Sequence, residues 1–439
     1  MMLSGWGRSP AIDCRVITPR TPDEVVAAVR ATPCLIARGA GRAYGDAALN
    51  PEATLSTLRL DHVRSFDVET GLLDAEAGLR LADVIDLVLP HGWFPAVVPG
   101  TAEPTIGGMV AADVHGKNHH VDGAFGDHVD EIRLVDADGS VVRCAPGDRP
   151  DLFDATLGGM GLTGVVLSAR MRLRRVETAF IDAATHRRSD LDGLLSALEG
   201  SSPARYSVAW IDTLARGAAF GRGVVFAGDH APVDALPRSR RSRPLERPWR
   251  PRLSVPFDLP AAGLHRRVMA AFNAIYHAAP RAARRIVDVD RFFFPLDAVR
   301  GWNRLYGPKG FRQFQCVLPE DDGGRGLARI LDVVSTSGTG SFLAVLKSLG
   351  AGRRPLSFPI AGHTLALDMP AGAATDTTYR RLCDITFEHG GRIYLAKDAL
   401  ADPGHVGAGY PGVAGFRAAR RSDGSAGRFE SALSRRLGL

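Results

Sequence analysis

Val97-Val98-Pro99-Gly100-Thr101, Thr105-Ile106-Gly107-Gly108 and Asp113-Val114-His115-Gly116-Lys117-Asn118-His119-His120 follow one another closely and set close-approach glycines beside imidazoles and a lysine. Glycine lets a backbone press against a flat or phosphorylated ligand with no Cβ in the way. His and Lys supply titratable, polarising groups beside that ligand. A purely structural segment has little use for Gly-Gly followed shortly by His-Gly-Lys-Asn-His-His; a cofactor site does.

Two more glycine clusters frame this stretch. Arg38-Gly39-Ala40-Gly41-Arg42-Ala43-Tyr44-Gly45-Asp46 follows Cys34-Leu35-Ile36-Ala37, which reads as a short buried strand. Successive backbone N–H groups of such a loop form an anion nest, and Arg38 and Arg42 add charge; the plainer alternative is a tight strand-to-turn link. A nicotinamide-binding fingerprint needs a helix opening at the glycines, but Asn50-Pro51 follows quickly and no apolar stripe of helical period appears. Gly158-Gly159-Met160-Gly161-Leu162-Thr163-Gly164 is the third cluster. One such cluster is a weak signal, and three together are a strong one.

The chain has 439 residues, room for about two or three domains. Its 45% hydrophobic and 23% charged residues describe an ordinary globular protein. The net charge of +6 is mild; it fits simple solubility, an anionic ligand or a membrane surface, and nothing points to nucleic acid. The cysteines, Cys14, Cys34, Cys144, Cys316 and Cys383, are scattered and odd in number, which argues against a disulfide framework or a zinc ribbon and makes the cytoplasm the default compartment. No apolar core of a signal peptide opens the chain and no run is long enough to span a membrane, which leaves peripheral attachment open.

Along the chain, residues 21–30 read as a helix capped by Thr21 or Thr18, 72–77 as a strand, and 81–89 as a helix closing at Gly92. Asp138-Gly139 joins 132–135 to 141–143 as a hairpin, and 165–173 is a further strand. Beyond about 176 the pattern shifts to longer strands, such as 206–211 and 314–318, with helices at 264–278 and 325–335. The segment 237–256, carrying Arg238, Arg240, Arg241, Arg243, Arg247, Arg250 and Arg252, reads as a mobile loop: a solvated stretch, a lid or a contact for anionic lipid. The end of the chain reads as basic and helical, finishing at 431–437.

Several side chains need a chemical explanation. His115 and His119 have the spacing of a metal pair, but only on a helix, and Gly116 argues against one, so no metal is expected; they line a cofactor pocket or are buried structural histidines. Lys347 and Asp368 sit inside apolar runs, where a charge is costly unless it is paired or faces a cavity. Gln313 and Gln315 share one face of a strand, opposite Phe314, which suits a polar pocket or a solvated sheet face. Residues 390–398 read as a short strand on which Tyr394 and Lys397 take opposite faces unless a turn intervenes; an exposed edge strand is the alternative.

Arg38-Gly39-Ala40-Gly41-Arg42-Ala43-Tyr44-Gly45-Asp46, Val98-Pro99-Gly100-Thr101, Ile106-Gly107-Gly108 and Leu162-Thr163-Gly164 resemble flavoproteins of the vanillyl-alcohol-oxidase type. Ser4-Gly5-Trp6-Gly7-Arg8, His115-Gly116-Lys117-Asn118-His119-His120, Phe125-Gly126, Tyr206-Ser207-Val208-Ala209-Trp210, Trp302-Asn303-Arg304, Pro355-Leu356-Ser357-Phe358-Pro359 and Tyr394-Leu395-Ala396-Lys397-Asp398 resemble the branch of that family that oxidises polyprenylphosphoryl ribose, over residues 5 to about 437. The resemblance implies an α+β, two-domain PCMH-type FAD-binding fold. Residues 5–176 plus 393–439 would bind FAD, and 177–392 would form a substrate domain on an antiparallel sheet.

It further implies that Arg38, Gly39, Ala40, Gly41, Arg42, Ala43, Tyr44, Gly45, Asp46, Gly100, Thr105, Ile106, Gly107, Gly108, Ala112, His115, Val166 and Tyr394 meet FAD. Arg42-Ala43 stands where many relatives carry a tethering His-Ser, so the flavin would be non-covalent. The implied reaction takes hydride from a ribofuranosyl 2-hydroxyl carbon to flavin N5 while a base removes the hydroxyl proton. Lys397 is the first candidate, then Asp368, with Gln315 and Tyr394 beside them. His115, Gly116, Lys117, Trp210, Phe293, Gln313, Lys347 and Ala366 would face the substrate, Lys117 and Lys347 suiting a phosphate. The 2-keto product would pass to a short-chain-dehydrogenase-type reductase that completes epimerisation to arabinose. Ala366 stands where this branch carries a pocket cysteine, His363-Thr364 where it carries Trp-Asn, and Phe293 where it carries Tyr. These departures keep a second reading open, a paralogous FAD sugar-alcohol or aldonolactone oxidase acting on a soluble nucleoside, antibiotic sugar or lactone. A third, from another class, is a basic anion- or membrane-binding protein without flavin.

Overall fold

A computed structural model describes residues 1–248, 253–259, 266–279, 283–338, 341 and 343–439. The first layer is a small parallel sheet in which Thr54–Ser56 pairs with both Val16–Ile17 and Ile36–Arg38. The helix Pro22–Ala31 covers it. Thr21 caps that helix by accepting the Glu24 N–H at 3.2 Å, Pro22 sits in the first turn where no amide partner is needed, and Val25 and Val29 are buried. The strand Ile36–Arg38 delivers the chain into the glycine loop 38–46.

The second layer is an antiparallel sheet in the order Val141–Cys144, Val129–Val135, Val165–Arg175, Leu72–Glu76 and Val63–Asp67, with Trp93–Pro95 pairing the far end of Val165–Arg175. The Asp138-Gly139 hairpin forms as read, with Gly139 at φ +76°. Helix Leu81–Val88 runs into a tight turn that stops at Gly92, φ +78°. Both angles lie where a side chain is disfavoured.

The third layer positions the site. Among the described residues eight strands pair antiparallel in the order Arg284–Asp288, Phe180–Arg188, Gly223–His230, Tyr206–Ile211, Ala344–Leu349, Gly362–Pro370, Phe311–Pro319 and Arg392–Ile393. Helices Leu191–Glu199, Glu320–Ser337 and Ala373–Glu388 cover one face, burying Ala209, Phe314, Cys316, Leu346, Leu365 and Leu367. Side chains alternate along a strand, so Trp210, Gln313, Gln315, Val345, Lys347, Thr364, Ala366 and Asp368 all belong to the opposite face.

The chain end folds back onto the first layer. Helices Pro403–Gly409, Val413–Ser422 and Ala432–Leu437 carry it there. Buried Arg420 donates to the carbonyls of Leu162, Ser425, Phe429 and Leu439 at 2.6–3.1 Å and pairs with Glu430 at 2.9 Å. Arg436 pairs with both Asp46 and Asp398 at 2.9 Å, joining the glycine loop to the Tyr394-to-Asp398 turn.

One expectation needs correction. The strand read over 390–398 is only Arg392–Ile393, followed by a turn in which the Lys397 N–H donates to the Tyr394 carbonyl at 2.9 Å. The described first part of the segment 237–256 makes contacts with the rest of the chain. Arg247 pairs with Asp86 and Asp290 at 2.5 and 2.6 Å, Arg241 donates to the Asp234 and Leu236 carbonyls, and the Ala179 N–H donates to Pro244 O. Arg250 and Arg252 lie outside the described residues, as do 264 and 265 of the helix read at 264–278, which is observed as Arg266–Ala278. No helix among the described residues is long and apolar enough to cross a membrane.

Candidate active site

Backbone-to-backbone contact builds the cofactor side. A Cβ on Gly39 would collide with the Thr105 side chain, so loop 38–46 closes on 105–108 because position 39 is glycine, while Gly107 lets the second loop press on Ala77. Thr105 caps helix Ile106–Ala111 through the Gly108 N–H at 3.3 Å. A Cβ on Gly100 would enter open space. Arg42 lies 4.1 Å over the Trp6 ring and pairs with Glu103 at 3.2 Å, while its buried Nε has no partner. Arg38 turns underneath the loop instead, donating to Ser4 O at 2.7 Å and Ala48 O at 3.5 Å. Asp46 is engaged by Arg436. Arg38 and Asp46 therefore brace the loop, and Arg42 keeps a buried Nε donor without a partner. Val166 is buried in the core of the second layer.

Opposite this cradle, the polar face of the large sheet is assembled by register. Gln313 pairs with Asp368, Gln315 with Ala366, Ala366 with Val345, Val345 with Trp210, and Lys347 with Thr364. Gln313 donates its amide to Asp368 Oδ1. Gln315 donates to Thr364 Oγ1 at 3.1 Å and meets His115 Nε2 at 3.0 Å. Because an amide nitrogen only donates, this network assigns Nε2 of His115 as acceptor and puts the ring proton on Nδ1, which is buried with no partner. The His115 ring packs on Tyr394 and Phe358, centroids 5.0 and 5.2 Å away. The Tyr394 hydroxyl donates to the Ala112 carbonyl at 2.9 Å. The turn after Ile393 lets Lys397 join this group; its Nζ lies 3.7 Å from the Tyr44 ring centroid.

Asp113 holds the imidazole segment in place. It adopts φ +38°, unusual for a residue with a Cβ, and its carboxylate is fully buried. It accepts from the Gly126 N–H at 2.9 Å, Ser357 Oγ at 2.6 Å and Arg354 Nη1 at 3.1 Å. One residue thus fixes both the turn leading to His115 and the Ser357-Phe358 segment that packs on it. The imidazoles do not form a metal pair: His115 lies on extended chain bridged to Ala124, whereas His119 opens the short helix His119–Asp122 and accepts from the Gly350 N–H at 3.0 Å.

Burial dominates the electrostatics. It pushes His115 well below the ordinary histidine range and His119 down to about 4, with Lys347 adding to both, so these rings are neutral. It pulls Lys117 down to about 7 and Lys347 down to about 8. Burial also lowers Lys397 and raises Asp368, each toward its uncharged form, while their mutual attraction opposes this. Buried amines near neutrality are what proton transfer at neutral pH requires.

The structure therefore gathers Gln313, Gln315, Lys347, Ala366, Asp368, Trp210, His115, Tyr394, Lys397 and the Tyr44 ring. Lys117 stands at one side, donating to the Phe292 carbonyl with its ammonium over that ring, while Gly116 packs on Val98 O. Phe293 is not on the sheet face; it is 1% exposed inside an aromatic core with Phe94 and Tyr206. Sequence reasoning missed Asp113, Phe358 and Thr364 as parts of the site, and placed Tyr44 only with the cofactor. The one available signal was an acidic residue just before Val114-His115.

The glycine cradle, the unpartnered Arg42 Nε and the free His115 Nδ1 fit a flat, phosphorylated cofactor. Fold and site together define an FAD-binding oxidoreductase of the PCMH type. The FAD binding domain family matches residues 15–145. Over its full length the chain is 35% identical to decaprenylphosphoryl-β-D-ribose oxidase of Mycolicibacterium smegmatis, covering 97% of that protein, and it belongs to that family. An uncharacterized protein of Streptomyces coelicolor is 37% identical over 82% of this chain and 100% of its own length. L-gulonolactone oxidase of Mus musculus is 25% identical over 37% of each chain.

Proposed function

We propose that the protein oxidises the 2-hydroxyl of a β-ribofuranosyl unit carried on a polyprenyl phosphate, giving the 2-keto sugar. The observation that carries this reading is the row Gln313, Gln315, Asp368 and Lys347 on one face of an otherwise apolar sheet, opposed by His115, Tyr394 and Lys397. FAD, held non-covalently along loops 38–46 and 105–108, supplies the acceptor for the carbinol hydrogen. In this reading residues 5–176 and 393–439 build the cofactor half, and 177–392 closes over it.

Lys397, whose neutral form burial favours, takes the hydroxyl proton. Asp368, fixed by Gln313, tunes that amine through its charge. Gln315 and neutral His115 hold the sugar ring by hydrogen bonds, with the Nδ1–H of His115 as a donor. Tyr394, tied to Ala112, walls the site and excludes water. Lys117 and Lys347 receive the phosphate. The ketone must then be reduced from the other face to give arabinose, so a short-chain-dehydrogenase-type reductase is the expected partner. A lipid-borne substrate places the protein at a membrane surface, on the cytoplasmic side.

The test is anaerobic mixing of the yellow protein with candidate substrates while the flavin absorbance is followed. Bleaching by a polyprenylphosphoryl ribose but not by free lactones or nucleosides supports the proposal. Bleaching by an aldonolactone or nucleoside alone moves the activity to the soluble-substrate reading.

A further inference from the structure

Two segments near one end of the large sheet carry outward apolar side chains. Strand Phe311–Pro319 begins opposite Pro370, and Ala344 lies opposite Leu367, so Asp368 sits at that end. On one side of it, Leu253–Ser254 pairs with Val299–Arg300, the Leu259 N–H donates to Arg304 O, and Trp302 and Tyr306 pack on Phe311. On the other side lies helix Arg266–Ala278. Its Asn273 reaches Asp212 at 2.7 Å, its Tyr276 ring packs 4.7 Å from Trp210, and Arg266 donates to the Ser335 carbonyl.

That helix has an inward and an outward face. Met269 and Asn273 turn inward. Val268, Phe272 and Ile275, spaced i, i+4, i+7, turn outward and are 46–71% exposed; Leu253 and Phe257 of the 253–259 stretch are 70% and 65% exposed. Soluble surfaces scatter such side chains singly, and a cluster marks an interaction site. Charge selects the partner. The helix contains Arg266, Arg267 and His277 and no acidic residue, and the facing stretch adds Arg300, Arg304 and Lys309. Its one acid in 253–259, Asp258, is paired with Arg8 at 2.5 Å. Outward apolar residues beside arginines, on a helix without an acid and a stretch whose one acid is paired, suit the headgroup boundary of an anionic bilayer.

We infer that helix Arg266–Ala278 and the 253–259 stretch form a docking face for an anionic membrane, seating the mouth of the site on the bilayer. The inference rests on the reading that the substrate is lipid-borne, and it moves the membrane contact from the arginine-rich loop to this face. A prenyl chain drawn from the bilayer would then enter beside Trp210 without crossing water.

The test is co-sedimentation of the flavin-loaded protein with vesicles of phosphatidylcholine alone or mixed with phosphatidylglycerol. Binding is expected to the mixed vesicles and to weaken with salt. V268D/I275D should lower it at least about tenfold, as should L253S/F257S on the facing stretch. Flavin content and bleaching by a ribosyl phosphate with a short, water-soluble prenyl chain should not change. Wild-type protein that ignores anionic vesicles, or two double variants that bind as well as wild type, would overturn the inference. A solution dimer that V268D/I275D dissolves would assign the face to a second copy instead. Absence of bleaching by any ribosyl phosphate bears on the proposed reaction and leaves vesicle binding as a separate result.

Discussion

The Lys397 ammonium nitrogen lies 3.7 Å from the centroid of the Tyr44 ring, so a residue of the glycine loop touches the proposed base directly. Burial raises the Tyr44 phenol well above its ordinary range, with Asp368 adding to the shift. The ring therefore meets Lys397 as a neutral, electron-rich face, to which a cation is attracted. Y44L should hold FAD, bind substrate more weakly and shift the acid limb of flavin reduction to lower pH, because it removes a contact that favours the charged amine. Steady-state kinetics across pH check this.

Asp368 and Lys347 pull Lys397 in opposite directions. The carboxylate of Asp368 raises the amine and the charge of Lys347 lowers it. If Lys397 acts as base, reduction is fast only above its pKa. D368N should therefore move the acid limb down and K347M should move it up. The shifts should be about one pH unit or less, a unit being worth ~1.4 kcal/mol. The pH profile of anaerobic flavin reduction measures both; shifts of the same sign would contradict the arrangement.

Lys117 carries a stability consequence. Its pKa falls to about 7 in the folded protein, against about 10.4 unfolded. Between these values the unfolded chain binds more protons, so stability rises with pH across that window. K117M should flatten the rise, which urea unfolding at neutral and alkaline pH would detect.

Asp113 is tied to Arg354, Ser357 and the Gly126 N–H. D113A leaves Arg354 paired with Asp127 but strips the acceptor from Ser357 and the Gly126 N–H, and should cost about 1–3 kcal/mol. D113N keeps one acceptor oxygen and should cost less. Both should perturb the flavin spectrum if Asp113 positions His115; thermal unfolding followed by flavin fluorescence reads both effects.

The cofactor cradle depends on absent side chains. G39V would drive a branched side chain into Thr105, and G107V into Ala77. Either variant should purify with little yellow colour. Equal flavin content in both would remove loops 38–46 and 105–108 from the cofactor site.

Local signals were legible wherever structure is decided by neighbours. Thr21 with Pro22 marks its helix start, Gly92 and Gly139 mark chain reversals, and the alternation of Gln313, Phe314 and Gln315 marks a two-faced strand. What stayed hidden depends on pairing between distant segments. Gln313 comes opposite Asp368, and Trp210 opposite Val345, only through strand register, which no local pattern encodes. Tyr394 and Lys397 join one cluster because the strand stops after two residues and turns; the apolar run beside them resembles a longer strand. Arg38 reads as a phosphate ligand, yet the carbonyls of Ser4 and Ala48 claim it from below. The cofactor class was legible because the glycine spacing is itself local, and the span matched by the family, 15–145, contains both loops.

The most direct measurement is single-turnover flavin reduction by a polyprenylphosphoryl ribose under anaerobic conditions, comparing the wild type with K397M at equal flavin occupancy. Loss of general-base assistance should slow bleaching by about 10²–10⁴-fold, while substrate affinity changes little. K397M that keeps its flavin and bleaches at the wild-type rate would contradict the placement of the proton acceptor on Lys397 and, with it, the reading of the sheet face as the reaction site.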